Sequence, residues 1–146
     1  PVAYEYINDA GWMNYAESIA TKPENITERA ACFEKLVPII QQASIDYLAD
    51  PARTNAIILD AVAQFGGDFG WDYTQAAADF GVAKIIEDGL IANSPEGVVG
   101  QFDTDRVAKL IELAVPIYTA QGATPKEGVT PDDIVTNQFI DASIGL

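Results

Sequence analysis

Hydrophobic and polar positions change period once along this chain, near residue 22. Val2, Tyr4 and Tyr6 alternate with Ala3, Glu5 and Ile7; aromatic and β-branched residues at a two-residue period favour an extended strand. Asn8-Asp9-Ala10-Gly11 supplies turn residues. A second extended run follows from Asn14 to Thr21 and ends at Lys22-Pro23. From there the spacing becomes helical. Asn25-Ile26-Thr27-Glu28 has the form of a capping box, in which each end side chain satisfies a backbone N–H of the other. Apolar Ala30, Phe33, Val37, Ile40, Ile45 and Leu48 then recur at helical spacing up to Asp50. Pro38 falls inside that run and predicts a kink or a break near Leu36.

Further starts and stops divide the remainder. Asp50-Pro51 reads as N-cap and first helical residue, with a helix through Ile57, Ile58 and Val62 to Gly66-Gly67. Asp72-Tyr73-Thr74-Gln75 is a second capping-box pattern, opening a helix with Ala76, Phe80, Ala83 and Ile86 that stops at Gly89. Asn93-Ser94-Pro95-Glu96-Gly97 is a loop. Asp103-Thr104 caps a helix whose face is Val107, Leu110, Ile111, Ala114 and Ile117, with Pro116 bending it late. Thr130-Pro131-Asp132-Asp133 is one more N-terminal signature. The expected class is a helix-dominated α/β chain, one or two strands followed by at least four helices. It reads as a single partial domain over 1–146, extended through 1–21 and helical through 22–146. A complete doubly wound domain alternates strands and helices, so strands first and helices after suit the end of such a domain.

Charge narrows the partners. Eight Lys and Arg stand against 22 Asp and Glu, a net charge of −14. That surface repels phosphate backbones and anionic lipid, which argues against nucleic acid. The chain opens Pro1-Val2-Ala3-Tyr4, with no leader pattern, and holds no apolar run near the ~20 residues of a membrane helix. No histidine is present. Its absence removes the usual general base, and with it Ser-His-Asp and Cys-His catalysis. Cys32 is the one cysteine, so no intrachain disulfide forms. Set between Ala31 and Phe33, it reads as a buried packing residue.

The remaining motifs point away from catalysis and from any cofactor. Acid pairs at Glu87-Asp88, Asp103/Asp105 and Asp132-Asp133 would suit glycosidase work only across a cleft. Two of the three stand where helices begin, and there acids complement the helix dipole. Asp103-Thr104-Asp105 lacks the Gly and Glu of a calcium loop. Gly66-Gly67-Asp68-Phe69-Gly70 is not a phosphate-binding loop and carries an acid where a Lys is needed. Asn25-Ile26-Thr27 fits a glycosylation sequon, though capping explains it better. Aromatic residues are the better candidates for binding. Trp12, Asn14 and Tyr15 cluster after Gly11, and Trp71 stands with Phe69 and Tyr73 before a helix start. Aromatic rings with a few polar atoms on loops line small-molecule clefts, and the same rings also serve as core anchors.

Several of these stretches together carry a resemblance. They are Gly11-Trp12-Met13-Asn14-Tyr15 leading into Glu24-Asn25-Ile26, Leu36 to Asp50 followed by Pro51-Ala52, and Asp103 to Ile117. The most specific is the tail, Gly122, Gly128, then Thr130-Pro131-Asp132-Asp133-Ile134-Val135-Thr136-Asn137 and Phe139-Ile140-Asp141. In this order they resemble the C-terminal part of the NMT1/THI5-like solute-binding proteins. Those are extracytoplasmic receptors of ABC importers for thiamine-pyrimidine precursors, sulfonates, nitrate and related solutes.

The resemblance covers nearly the whole chain yet only about the last two-fifths of such a receptor, judged by the sizes of two-domain proteins. It implies two α/β lobes of the type II periplasmic-binding-protein fold, closing on a small molecule by a hinge. It also implies an ABC permease as partner and a place in the periplasm or, as a lipoprotein, lipid-anchored at the outer face of the cell membrane. Trp12, Asn14 and Tyr15 would lie where the returning strand passes the cleft, with Trp71 a further contact. On this reading Tyr15→Ala weakens ligand binding with little loss of stability. The acidic balance favours a cationic or neutral solute. Open strand edges at Tyr4–Ile7 and Tyr15–Ile19 would promote self-association. Two other functions stay open: a free-standing helical interaction module, and a THI5-type pyrimidine-synthesis enzyme, whose chemistry needs histidine and a pyridoxal-phosphate lysine.

Overall fold

A computed structural model describes residues 3–66 and 73–146. The chain is helix-dominated. Among the described residues five α-helices follow an irregular N-terminal stretch: α1 (Pro23–Glu28), α2 (Ala30–Ala49), α3 (Ala52–Phe65), α4 (Gln75–Glu87) and α5 (Thr104–Ala120). A single 3-10 turn, Pro131–Asp133, comes after them.

The expected strands do not form among the described residues. A strand is one side of a ladder and needs a neighbour for its N–H and C=O groups. Ala3–Tyr6 and residues 14–21 pair into none. The intervening turn does form, with the Asp9 N–H on the Tyr6 carbonyl at 2.9 Å and the Trp12 N–H on the Ile7 carbonyl at 3.1 Å. One isolated antiparallel bridge joins Asn93 and Val99.

Local chemistry sets the helix ends. Asp103 caps α5, its carboxylate accepting from the N–H groups of Asp105 (2.9 Å) and Arg106 (3.2 Å). At α3 the Asp50 carboxylate accepts from the Ala52 N–H at 3.3 Å, and the helix ends at Gly66 as expected. At α4 the cap is Thr74, whose hydroxyl accepts from the Ala77 N–H at 3.2 Å; Asp72 lies outside the described residues. Beyond α4, Gly89 takes φ +60° while the Leu90 N–H reaches the Ile85 carbonyl at 3.0 Å. This left-handed closure suits glycine.

Three expectations change. Helix α1 begins at Pro23, one turn ahead of the Asn25 box, because proline at the first helical position needs no hydrogen bond. The Asn25 amide donates to the Thr21 hydroxyl at 2.9 Å instead. Pro38 does not break α2, which runs for 20 residues through it. Proline removes one i→i−4 bond, and the turns on either side hold the helix. The Thr130 signature opens only the 3-10 turn. There Asp133 is drawn back to the Thr130 N–H at 2.9 Å and to its hydroxyl at 3.1 Å.

The residues group into two compact bodies. In Pro1–Phe33 with Gln101–Phe139, Val107 is buried and the aromatic pairs include Tyr15 with Phe102 at 4.9 Å and Phe33 with Phe139 at 5.3 Å. In Glu34–Gly100 with Ile140–Leu146, α3 packs on α4, and the interior holds Ala78, Val82, Val98 and Val99. Each such valine contributes about 1.5–3 kcal/mol by leaving water. Two buried polar residues, Gln41 and Asn55, accompany them. Cys32, expected inside, is exposed. Its neighbours on the helix are apolar, but spacing alone does not say which of two apolar faces turns inward.

Candidate functional site

Two of the four candidate contact residues, Asn14 and Tyr15, meet the start of α5. Trp12 and Tyr15 are half-buried and Asn14 is exposed; Trp12 bonds through its N–H to the Ile7 carbonyl in the preceding turn, and Trp71 lies outside the described residues. Arg106 holds Asn14 and Tyr15. Its Nε donates to the Met13 carbonyl at 2.7 Å and its Nη2 to the Asn14 carbonyl at 2.8 Å. The same guanidinium lies 4.2 Å from the centroid of the Tyr15 ring, a cation–π arrangement that also ties down a planar fork.

Tyr15 is engaged on every side. The Asp103 N–H donates to its hydroxyl at 2.8 Å, and its ring meets Phe102 edge to face at an interplanar angle of 79°. Phe102 is fixed in turn by Asn137, whose amide oxygen accepts from the Phe102 N–H at 2.9 Å while its NH2 donates to the Phe102 carbonyl at 2.8 Å. Residues 13–15 are thereby fastened to the first turn of α5. What this surface offers a solute is an exposed Asn14 amide, the half-buried Trp12 indole and the remaining O–H of Tyr15, which still has its proton to donate. Those groups can donate and accept hydrogen bonds.

An open groove of ≈ 530 Å³ lies elsewhere on α5, between Ile111, Val115 and Pro116 on the helix and Pro125 and Val129 beyond it. Glu112 and Glu127 stand at its sides, and Lys126 is ion-paired with Asp133. Among the described residues no group of His, Cys, Asp and Glu could hold a metal ion, and no helix is long and apolar enough to cross a membrane.

Sequence reading missed the most constrained polar group. Gln41 is only 3% exposed, and its NH2 donates to the carbonyls of Val99 (2.9 Å) and Asp141 (3.2 Å). Its amide oxygen accepts from the Asp141 N–H at 2.9 Å. The available signal was an amide flanked one turn away by Val37 and Ile45, a polar residue in line with apolar ones on a helix. Asn93 closes the end of the tail in the same reciprocal way, with bonds of 3.1 and 2.8 Å to the carbonyl and N–H of Leu146. Asn55 is buried against the Tyr47 hydroxyl at 3.0 Å. Burial pushes the Tyr47 phenol above its ordinary value, and Tyr73 acts in the same direction.

Comparison with protein-family models, with curated proteins and with solved structures finds no match to this chain.

Proposed function

We propose that this chain is the C-terminal portion of a two-lobe, type II solute-binding receptor that works outside the cytoplasm and delivers a small molecule to an ABC permease. Binding, not catalysis, is its task. The observation that carries the reading is the tail. The stretch that most resembles the NMT1/THI5-like receptors, Gly122, Gly128, Thr130 to Asn137 and Phe139-Ile140-Asp141, contains one anchoring residue for each body. Asn137 grips Phe102 by two bonds, and Asp141 grips Gln41 by two more. A sequence motif whose residues hold the fold is a sounder basis for kinship than one on a free surface.

The fastening of residues 13–15 supports a role for that segment in positioning Trp12 and Asn14. Calorimetric titration of the complete gene product with an aminopyrimidine, an alkanesulfonate and nitrate tests the reading. One of the three is expected to bind at one site with a Kd of about 1 µM or tighter. A folded product that takes up none of them overturns it.

A helical interaction module is the second reading. It is favoured by large apolar side chains on the surface, among them Ile39, Ile57, Phe65 and Phe80, each more than 60% exposed.

A further inference from the structure

The groove of ≈ 530 Å³ along α5 lies wholly within the body formed by Pro1–Phe33 and Gln101–Phe139. Ile111, Val115 and Thr119 line it at four-residue steps, so one face of the helix supplies about 12 Å of wall. Past the helix the chain turns at Gly122, where φ is +86°, and residues 125–129 supply the other wall. Ile111, Val115, Pro125 and Val129 are each half-buried and make an apolar floor. The volume is that of a small-molecule site, and such sites pair an apolar lining with a few placed polar groups.

The polar groups here favour one sign of charge. Glu112 and Glu127 line the groove, and among the described residues neither enters an ion pair. The charge of Lys126, the cation of the lining, is offset by Asp133. The Thr119 hydroxyl gives its proton to the Val115 carbonyl at 2.8 Å. A further acceptor comes from the backbone. Pro116 has no N–H, so the Glu112 carbonyl four residues back lacks its donor in the helix ladder. Both residues line the groove. Two uncompensated carboxylates and a released carbonyl beside an apolar floor suit a cation that has N–H groups to donate and an apolar body to bury. An anion would meet both acids, and a second copy would bring a net charge of −14.

We infer that this groove binds a protonated organic amine. The apolar body lies on Ile111, Val115 and Val129, the ammonium donates to the acceptors of Glu112, and the Glu127 carboxylate adds its attraction. The site shares no residue with the 12–15 segment, and the inference does not rest on the receptor reading.

Methyl NMR titration of the complete gene product with phenethylammonium tests this. The methyl signals of Ile111, Val115 and Val129 are expected to shift together with a Kd of about 0.1–1 mM. The trimethylated analogue keeps the charge but has no N–H, and is expected to bind roughly 10-fold more weakly. Neutral 2-phenylethanol is expected to bind more weakly still. Glu112→Gln and Glu127→Gln, both at exposed positions, are each expected to weaken amine binding roughly 5-fold. Glu96→Gln, exposed in the other body, is expected to leave it unchanged. Silent methyl signals at these positions overturn the proposal, as does equal affinity for the trimethylated analogue or the alcohol. An amine affinity that neither variant of the groove changes assigns the binding to the diffuse field of the acidic chain and also overturns it.

Discussion

The Arg106 guanidinium covers the face of Tyr15 at 4.2 Å while its two nitrogens hold the carbonyls of Met13 and Asn14. One side chain therefore fixes both the ring and the backbone that leads to it. Tyr15 serves stability before it serves any ligand. Tyr15→Phe removes the acceptor for the Asp103 N–H and is expected to cost about 1 kcal/mol. Tyr15→Ala also forfeits the Phe102 edge and the cation–π contact, for a total of about 2–4 kcal/mol. Urea denaturation measures both, and an alanine variant as stable as the parent would remove Tyr15 from this role.

Gln41 is expected to be the costliest single amide in the chain. Gln41→Leu keeps much of the volume but strands the Val99 carbonyl and both backbone groups of Asp141. Stranded buried groups cost about 1–3 kcal/mol each, and partial access of water to the Asp141 side keeps the expected sum near 3 kcal/mol. Thermal unfolding is the check, with Gln42→Leu one residue along, at an exposed position, expected to change little.

Asp133 titrates far below an ordinary carboxylate. The Lys126 ammonium bonded to it, then the Thr130 N–H and hydroxyl, hold its pKa at about 2, against an ordinary 3.8. A depressed folded pKa gives stability that is complete above the unfolded value and is lost as pH falls through the folded one. The 3-10 turn is therefore expected to keep this support at neutral pH and to lose it between about pH 4 and pH 2. Carboxyl NMR titration reads the midpoint directly. Lys126→Ala is expected to move it back toward 3.8, and an unmoved midpoint would show that Lys126 is not the cause.

Gly145 has no room for a side chain. A Cβ there would sit 2.2 Å from the Gly97 carbonyl oxygen, so Gly145→Ala must shift backbone against backbone. The expected cost is about 1–3 kcal/mol. Its first sign is faster hydrogen exchange at the Val99 N–H, which is bonded to the Ile144 carbonyl at 3.1 Å. Unchanged exchange at Val99 would mean that the tail accommodates the methyl group.

What could be read from the sequence was what neighbours in the chain decide. The Asp103 cap, the Asp50-Pro51 start and the stops at Gly66 and Gly89 depend on groups within five residues of each other. Strands at residues 2–7 and 14–21 could not be read in the same way, since a ladder depends on a distant partner that no local pattern names. Nor could the inward side of α4. Spacing drew out Ala76, Phe80, Ala83 and Ile86, yet Ala78 and Val82 are the buried pair. With apolar residues on both sides, periodicity has no preferred phase. The cluster after Gly11 could be listed from its residue types, but the anchor of residues 13–15, Arg106, lies more than ninety residues away and gave no sign.

The two hydrogen bonds between Gln41 and Asp141 also impose an order on the making of the protein. The two residues are 100 positions apart. At roughly 5–20 residues per second, a ribosome finishes Gln41 about 5–20 s before it reaches Asp141. Throughout that interval α2 exists with its central amide satisfied by water alone. The body that contains Gln41 therefore closes only after Asp141 has been made, and a chain stalled short of Asp141 leaves that amide open.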